Sequence, residues 1–332
     1  MASSVIVSYE PEARHREQYV RMLGKPSGVQ ELVFLGDIPQ EERAKALSAA
    51  DAMLTWSIEK ELKPEEFPLI AKLSLLQLVT AGADHLPFHL LPAGPVIASN
   101  VGAFAPPMAE HVAAMMLALA KRLVVNHIKM KEKGEFDQTT KNRMVRGLVC
   151  GIVGFGGIGK AVAQVMRALG LKIWAINTSG KTGEPVDFIG TTAVLEHLLR
   201  NSGVVVLSLP LTGDTRGLIG KKELSWMKPD AILVDVARGA IIDEAALYEH
   251  LKNNPGFSAA IDTWWVEPAT HGHFRYDCPF FDLPNFLGSP HNSPIVPGVM
   301  DAATEQAAEN VLRFLSGERP KGVLRREDYL KR

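Results

Sequence analysis

The chain has 332 residues, with 36 basic and 37 acidic side chains, a formal net charge of −1 and two cysteines. This near-neutral balance gives nucleic acid no electrostatic footprint, and two cysteines do not form a disulfide framework of the secreted kind. The length allows two domains with separate cores. Residues 1–10 lack a signal-peptide pattern and no apolar stretch is long enough to cross a bilayer, so we expect a cytoplasmic protein without membrane contacts.

The first hundred residues alternate short apolar runs with helical segments. This β-α-β-α order predicts a parallel sheet. The region contains no phosphate-binding glycine pattern, which favours a substrate domain over a second nucleotide domain. The predicted strands are residues 5–7, 32–35, 52–56 and 73–79, and the predicted helix is residues 41–50.

Residues 92–107 are rich in proline, glycine and small side chains, which predicts a crossing between domains. One long helix with an apolar stripe is then expected over residues 108–125. Its apolar side could pack inside its own domain or against a second subunit, and the sequence does not choose between the two.

A glycine-rich stretch lies at the centre of the chain. The apolar run 148–153 leads into Gly154, Gly156 and Gly159, spaced G-x-G-x-x-G, and a helical segment follows over residues 161–169. Gly154 permits a tight turn, Gly156 lets the backbone approach a pyrophosphate, and Gly159 lets the helix pack closely on the strand. Strand, turn and helix in this order predict a dinucleotide site at the helix N-terminus. The alternative is a strand-to-helix turn that binds no ligand.

Strand–helix alternation continues regularly after this stretch. The 268–284 segment is irregular and longer than most connections, which suggests a functional loop. Predicted strands cover residues 171–176, 204–207, 231–234 and 257–263, and predicted helices cover residues 193–200, 243–253 and 298–316.

Three polar side chains each follow a predicted strand. Arg238 could hold a carboxylate with two parallel hydrogen bonds, although an exposed arginine in a surface ion pair is the plainer reading. Glu267 beside His291 would favour the protonated imidazole and fix its orientation, giving a general acid–base. Because ligands collect at the carboxyl ends of parallel strands, the three residues together predict a catalytic site.

On these motifs the chain resembles the D-isomer-specific 2-hydroxyacid dehydrogenases over nearly its whole length. The matching segments are residues 154–159, 210–215, 237–247, 262–268 and 290–291, with 82–86, 100 and 109–111 nearer the N-terminus. The resemblance implies an α/β fold with two Rossmann-like domains and the active site in the cleft between them. A flavodoxin-like substrate domain would comprise residues 1–99 and 296–332, and an NAD(P)-binding Rossmann domain residues 100–295. It also implies a homodimer formed through the region of residues 108–125.

The family's functional residues carry over to matching positions. Arg238 would hold the substrate's carboxylate and carbonyl oxygen, His291 would exchange the proton, and Glu267 would hold and polarise His291. Backbone N–H groups of Ala81 and Gly82 would donate to the same carboxylate. The implied cofactor-binding residues are Gly154, Gly156, Gly157, Ile158, Asn177, Thr178, Ser179, Pro210, Thr215, Val236, Ala237 and Asp262.

Four places depart from the family pattern: residues 177, 208, 235 and 292–294. Asn177 stands where relatives that prefer NAD carry an acidic residue for the adenosine ribose. Without that carboxylate, a 2′-phosphate is not repelled, and hydroxyl groups with Lys181 could bind it, which favours NADP slightly over NAD. Ser208 replaces a frequent histidine, and Asp235 replaces a common asparagine.

The resemblance predicts an oxidoreductase that acts on a small 2-keto acid or D-2-hydroxy acid, similar to glyoxylate or hydroxypyruvate reductases. Two alternatives stay open: a cofactor-sensing binding protein similar to the corepressors of this fold, and a phosphite dehydrogenase. Formate dehydrogenases carry glutamine at the position of Glu267, which argues against formate. His271, His273, Asp277 and Cys278 match no strong metal-site spacing, so no metal is predicted.

Overall fold

A computed structural model of the protein describes residues 3–24 and 28–330. The chain divides into two compact units, and each is described by itself. One unit contains the residues up to Phe104 and those from Val296 onward, and the other contains Ala105–Ile295. The outer ends of the predicted substrate domain, residues 1–2 and 331–332, lie outside the described residues.

The first unit is built on a five-stranded parallel sheet with the order β2-β1-β3-β4-β5. Strands β3 and β4 are buried along their full length, as expected for a parallel sheet covered on both faces. The elements of its N-terminal part are β1 (Ser3–Val7), α1 (Ala13–Leu23), β2 (Val29–Phe34), α2 (Gln40–Ala49), β3 (Ala52–Thr55), α3 (Ile58–Glu61), a 3₁₀ segment (Pro64–Ile70), β4 (Leu75–Leu78) and β5 (Val96–Ala98).

The four predicted strands are confirmed within two or three residues at their ends, whereas α1 and β5 were not predicted. Helix α1 buries His15, Gln18, Tyr19 and Leu23. Two polar residues on the buried face break the apolar periodicity by which an amphipathic helix is recognised. β5 has three residues, too few to stand out from the surrounding prolines and glycines.

A buried ion pair fastens α2 to the 3₁₀ segment of this unit. The Arg43 Nε and Nη2 atoms donate to the two carboxylate oxygens of Glu66, at 2.7 and 2.8 Å. Glu66 is 3% exposed, and its hydrogen bonds from Arg43 outweigh desolvation and lower its pKa to about 2. The carboxylate therefore stays ionised far into the acid range.

We expect Glu66→Gln to lower the free energy of unfolding by about 3 kcal/mol, because it leaves the Arg43 charge without its counter-charge. A carboxyl with a lowered pKa contributes its stability above the unfolded-state pKa and loses it as the pH falls through the folded-state value. The free energy of unfolding of the wild type should therefore decline between about pH 4.5 and 2. The part of this decline that comes from Glu66 should be absent in the variant. Urea denaturation at several pH values measures the loss of stability and its pH dependence. Glu65→Gln, which changes an exposed neighbour in the same way, is the control.

The second unit is built on a seven-stranded parallel sheet with the order β12-β11-β10-β9-β6-β7-β8. The chain turns from β6 outward to β7 and β8, then back to β9 on the other side, so β6 lies at the point where the strand order reverses. Its elements are α4 (Ala105–Ala120), α5 (Leu123–Lys133), β6 (Val149–Val153), α6 (Gly157–Ala168), β7 (Lys172–Ile176), β8 (Phe188–Gly190), α7 (Leu195–Asn201), β9 (Val204–Leu207), α8 (Lys221–Trp226), β10 (Ile232–Asp235), α9 (Glu244–Asn253), β11 (Ser258–Ile261), α10 (Pro268–His271) and β12 (Phe286–Gly288).

The single helix predicted over residues 108–125 is wrong. Helix α4 ends at Ala120 and α5 begins at Leu123, because Arg122 adopts the left-handed conformation with φ 51°. α4 is the core helix of the pair: eight of its residues are buried, and it packs on α6, β10 and β11. No residue of α5 is buried. The reading of a core helix therefore applies to α4, whereas α5 is not part of the core.

The chain returns to the first unit through α11 (Val299–Leu315) and α12 (Arg326–Leu330). Helix α11 packs on α1 and β4, and Asn100 Nδ2 donates to the carbonyl oxygens of Val79 and Ala303, at 3.0 and 2.8 Å. The final helix predicted over residues 298–316 is confirmed. In residues 3–24 and 28–330, every helix is too short or too polar to cross a membrane.

Candidate active site

The glycine loop joins β6 to α6 at the point where the strand order reverses. Gly154 has φ +99°, a conformation that favours glycine, and its N–H and that of Phe155 donate to the carbonyl of Ile176 at 3.0 and 2.9 Å. Ser208, at the end of β9, donates from its hydroxyl to the carbonyl of Gly154 at 2.9 Å. The neighbouring strands on both sides therefore hold the turn.

The loop fits a dinucleotide in its backbone shape. A Cβ at Gly159 would collide with the carbonyl of Gly154, so glycine is needed for the helix to approach the strand. A Cβ at Gly156 would meet no heavy atom within 4 Å, so the loop surface beside this residue is open. Because α6 begins at Gly157, the positive end of a 12-residue helix faces this open backbone. Gly157 and Ile158, also predicted to bind the cofactor, form the first turn.

Asn177 follows β7 and closes a tight turn with its side chain. Its Oδ1 accepts from the N–H groups of Ser179 and Gly180, at 3.1 and 2.7 Å, and its Nδ2 donates to the carbonyl of Lys181 at 2.8 Å. Thr178, Ser179 and Lys181 are exposed. The turn thus presents two hydroxyl groups and a cation, while the Asn177 amide fixes its shape.

Pro210 and Thr215, two further predicted cofactor residues, are brought together in the loop after β9. The Thr215 hydroxyl donates to the carbonyl of Pro210 at 2.7 Å and accepts from the N–H of Thr212 at 2.8 Å. The loop is therefore closed on itself by one side chain.

Glu267 and His291 form the pair that the sequence predicted. Glu267 Oε2 lies 2.7 Å from His291 Nδ1, and Glu267 Oε1 accepts from the N–H of Trp264 at 2.6 Å. A carboxylate only accepts hydrogen bonds, so Nδ1 carries the proton in this contact. Nε2 is then the ring nitrogen that can exchange a proton with a ligand.

Glu267 is held in its ionised form. Its burial opposes ionisation, but the hydrogen bonds from His291 and Trp264 and the positive charges of His291 and Arg238 outweigh this effect and lower its pKa. The side chain of Glu267 is 12% exposed and that of His291 is 35% exposed. The pair thus combines a sheltered anion with an imidazole that solvent and ligands can reach.

A second carboxylate fixes the backbone around His291. His291 has φ 52°, which is uncommon outside glycine. The buried Asp262 accepts from the hydroxyl of Ser289 and from the N–H groups of Asn292 and Ser293, both at 3.3 Å. These contacts close residues 289–293 into a loop with His291 at its centre. Asp262 was predicted to meet the nicotinamide carboxamide; that role stays a prediction beside the one seen here.

His111 joins this cluster and was not predicted to do so. It lies on α4, with Nε2 3.0 Å from Ser289 Oγ and 3.6 Å from Asp262 Oδ1. Because the Ser289 hydroxyl donates to Asp262, its oxygen is the acceptor for a proton on His111. No local pattern signals a contact across 178 positions in the chain, although Ser289 stands only two residues before His291.

Arg238 follows β10 at the same edge of the sheet. Its Nη1 donates to the carbonyl of Ala237 at 2.7 Å, and its charge is close enough to lower the pKa of Glu267. Val236 and Ala237, the predicted neighbours of the nicotinamide riboside, are buried at 2% and 5% exposure. The three residues predicted to be catalytic therefore lie at the carboxyl ends of β10, β11 and β12.

Ala81 and Gly82 follow β4 in the first unit. Among the described residues, neither of their N–H groups donates a hydrogen bond, and the Thr80 hydroxyl donates to the carbonyl of Gly82 at 2.9 Å. Two neighbouring N–H groups in a turn are suited to an anion. Their assignment to the substrate's carboxylate stays a prediction.

Aromatic rings of the 268–284 segment and of β12 pack on Trp264. Rings of Phe274, Phe281 and Phe286 lie 5.0 to 6.0 Å from that of Trp264. His271 Nδ1 accepts from the N–H of Glu267 at 3.1 Å. The described residues contain no group of three or more metal-ligating side chains.

Comparisons with known proteins agree with this geometry. A family model described as "D-isomer specific 2-hydroxyacid dehydrogenase, NAD binding domain" matches residues 113–293. The chain is 30% identical to a glyoxylate reductase of Thermococcus litoralis over 295 residues, covering 86% of each chain. It is 29% identical to a glycerate dehydrogenase of Methylorubrum extorquens, covering 86% of this chain and 88% of the relative. A Pyrobaculum aerophilum structure, provisionally named a formate dehydrogenase, matches with a TM-score of 0.79 at 28% identity, over 99% of this chain and 100% of the other.

Proposed function

The chain belongs to the D-isomer-specific 2-hydroxyacid dehydrogenase family, and we propose that it transfers a hydride between a nicotinamide dinucleotide and a small 2-keto acid or D-2-hydroxy acid. The observation that carries this proposal is the 2.7 Å contact between Glu267 and His291, at the same sheet edge as Arg238. The names of the relatives support glyoxylate and hydroxypyruvate as the class of substrate.

In the direction of reduction, His291 Nε2 donates a proton to the substrate's carbonyl oxygen. Glu267 keeps the ring in place through Nδ1 and stabilises the imidazolium before transfer. Arg238 holds the carboxylate and the carbonyl oxygen, on which negative charge develops. A nicotinamide dinucleotide held at the glycine loop would supply the hydride in reduction and take it up in oxidation. In oxidation, His291 accepts the proton of the hydroxyl group.

We assign the dinucleotide to the glycine loop and the strand ends beside it. The open backbone at Gly156 and the N-terminus of α6 are suited to the pyrophosphate. Val236, Ala237 and Asp262 are assigned to the nicotinamide side, and the turn of residues 177–181 to the adenosine side. The N–H groups of Ala81 and Gly82 are candidate donors to the substrate's carboxylate.

NADP is proposed as the preferred cofactor, because the turn after β7 presents hydroxyl groups and Lys181 without a carboxylate. We expect Asn177→Asp to reverse this preference. Aspartate can still accept from Ser179 and Gly180, although it loses the hydrogen bond from Asn177 Nδ2 to the carbonyl of Lys181. Its charge repels a 2′-phosphate. The ratio of kcat/KM for NADPH over NADH should fall by about tenfold, the effect of roughly 1.4 kcal/mol.

Steady-state kinetics with both cofactors measures this ratio. Glu184→Gln is a charge change of opposite sign in the same connection between β7 and β8, where Glu184 pairs with Lys160 at 3.4 Å. It removes a negative charge and should not lower the ratio. An Asn177→Asp enzyme with an unchanged ratio would contradict the assignment of this turn to the 2′ position.

A homodimer is also proposed, and the exposed apolar side chains of α5 support it. Leu123, Val124, Ile128 and Met130 are 43% to 57% exposed along this helix. Apolar groups this open on neighbouring turns are typical of an interface. Light scattering should give twice the mass of the chain, and a monomer at micromolar concentration would contradict the proposal.

A cytoplasmic location is proposed as well. Cys150 and Cys278 are both free thiols, and burial raises the pKa of the Cys150 thiol to about 12. Unpaired cysteines are typical of proteins from reducing compartments. Fractionation of the source cells would test this.

The decisive experiment is a screen of both reduced cofactors against a panel of 2-keto acids, with the oxidised cofactors tested against formate and phosphite. We expect oxidation of the reduced cofactor with glyoxylate or hydroxypyruvate. Turnover of phosphite or formate alone would replace the proposed substrate class. Cofactor binding without any turnover would instead favour a cofactor-sensing protein.

A further inference from the structure

Asp235 is a buried carboxyl group that none of the steps above uses. It is the last residue of β10, is 0% exposed, and stands three positions before Arg238. Its Oδ1 accepts from the N–H of Ala237 at 2.9 Å, and its Oδ2 accepts from the hydroxyl of Thr263 at 3.1 Å. One side chain thus ties the turn that carries Arg238 to the segment after β11.

The charged groups around Asp235 come from three elements. Arg238 lies on its own turn, and Asp262 follows β11, with its N–H donating to the backbone carbonyl of Asp235 at 2.9 Å. His111, on the helix α4 that packs against β10 and β11, reaches Asp262. The charges of Arg238 and Asp262 both act on the buried carboxyl of Asp235.

The buried surroundings of this carboxyl favour its neutral form. Burial raises the pKa of Asp235 to about 7; the hydrogen bonds from Ala237 and Thr263 and the charge of Arg238 oppose the rise, and Asp262 adds to it. A protonated carboxyl keeps acceptor capacity, so the bond from Ala237 and the shape of the turn persist in both states. What changes across this range is the charge beside Arg238.

We propose that Asp235 is a positioning residue whose charge sets how strongly Arg238 holds the substrate's carboxylate. The proposal rests on the proposed function, in which Arg238 binds that carboxylate. When Asp235 is neutral, the turn is held and no negative charge on Asp235 competes with the substrate for Arg238. When Asp235 is ionised, it attracts the guanidinium and repels the substrate's carboxylate, so binding weakens.

The test is the KM for the 2-keto acid as a function of pH, measured at saturating reduced cofactor. In the wild type, KM should rise by about fivefold as the pH increases through 7, the size expected for one charge acting across several ångströms of protein. In Asp235→Asn, which keeps the shape and can still accept from Ala237, KM should stay low and flat. The kcat profile should keep its dependence on His291 in both proteins.

A second variant moves the transition instead of removing it. Thr263→Val deletes the hydroxyl that donates to the ionised carboxylate, so the rise in KM should shift to higher pH. Asp187→Asn is the control, because Asp187 accepts from the N–H of Ile173 near the start of β7, away from the strand ends that carry the site. It should keep the wild-type curve.

The outcomes separate the two proposals. A wild-type enzyme that reduces 2-keto acids with a KM independent of pH near 7 overturns the role of Asp235 and leaves the proposed function standing. So does an Asp235→Asn or a Thr263→Val enzyme with the wild-type KM profile. A wild-type chain that reduces no 2-keto acid overturns the proposed function itself, and the role of Asp235 with it.

Discussion

Replacing His291 by asparagine is expected to lower kcat for 2-keto acid reduction by about 10³-fold, the contribution typical of a positioned general acid. Asparagine is the informative substitution, because His291 has φ 52° and asparagine adopts this left-handed conformation at little cost. The loop of residues 289–293 should keep its contacts to Asp262, so the loss will reflect the missing proton donor and not a collapsed loop.

Three measurements make this prediction specific. Pre-steady-state and steady-state rates with the reduced cofactor give kcat, and fluorescence titration gives the dissociation constant of the dinucleotide, which should be unchanged because the glycine loop is untouched. His273→Asn is the matched control, since His273 is exposed in the 268–284 segment and contacts the carbonyl of His271. If the His291→Asn enzyme retained wild-type kcat, His291 would not be the proton donor.

The structure explains why one segment of the chain matters so much for His291. Asp262 and Glu267 both follow β11, five residues apart. One carboxylate accepts from the two backbone N–H groups after His291 and from the side chain of Ser289 before it, and the other holds the ring through Nδ1. The histidine therefore has both its strained backbone and its side-chain direction fixed by a single strand end. Such double fixation is what a general acid needs in order to meet its substrate in one orientation.

Much of the fold could be predicted from the sequence because most strands are short apolar runs bounded by turns. Strands β6, β9 and β10 are buried on both faces, and their composition alone marks them. The break between α4 and α5 was invisible, since Arg122 is an ordinary helix former and only its φ of 51° ends the helix. The three-residue strands β5 and β8 were too short to give a periodic signal.

The candidate site was predictable to the extent that each residue follows a strand of one parallel sheet. That rule predicts from the sequence alone that Arg238, Glu267 and His291 lie at one edge of the sheet. The rule does not predict contacts that depend on how the helices pack on the sheet. His111 reaches Ser289 only because α4 packs on β10 and β11. The turn-closing bonds of Asn177 are local, and an asparagine two residues before a serine and three before a glycine is a usual Asx turn.

Arg238→Lys is expected to lower kcat/KM for the 2-keto acid by about 10²-fold, although it keeps the charge. Arginine presents a planar fork that can bind a carboxylate with two parallel hydrogen bonds, whereas lysine is a flexible point charge. In this chain the fork is already oriented, because one of its nitrogens donates to the carbonyl of Ala237 at 2.7 Å and the turn below it is held by Asp235. A lysine in this turn loses both the orientation and the second hydrogen bond.

The lower kcat/KM should come mainly from a higher KM, because the carboxylate is bound in the ground state and in the transition state alike. A smaller decrease in kcat should reflect the contact of Arg238 with the carbonyl oxygen. Initial rates over a wide range of keto acid separate the two constants. Arg200→Lys, in the exposed pair with Glu196 on α7, is the control for the same chemical change and should be neutral. A 2-keto amide lacks the carboxylate charge, so the penalty of Arg238→Lys should shrink with this substrate. An equal penalty for the amide and the acid would mean that Arg238 acts on the carbonyl alone, and the assignment of the carboxylate would then have to pass to other donors.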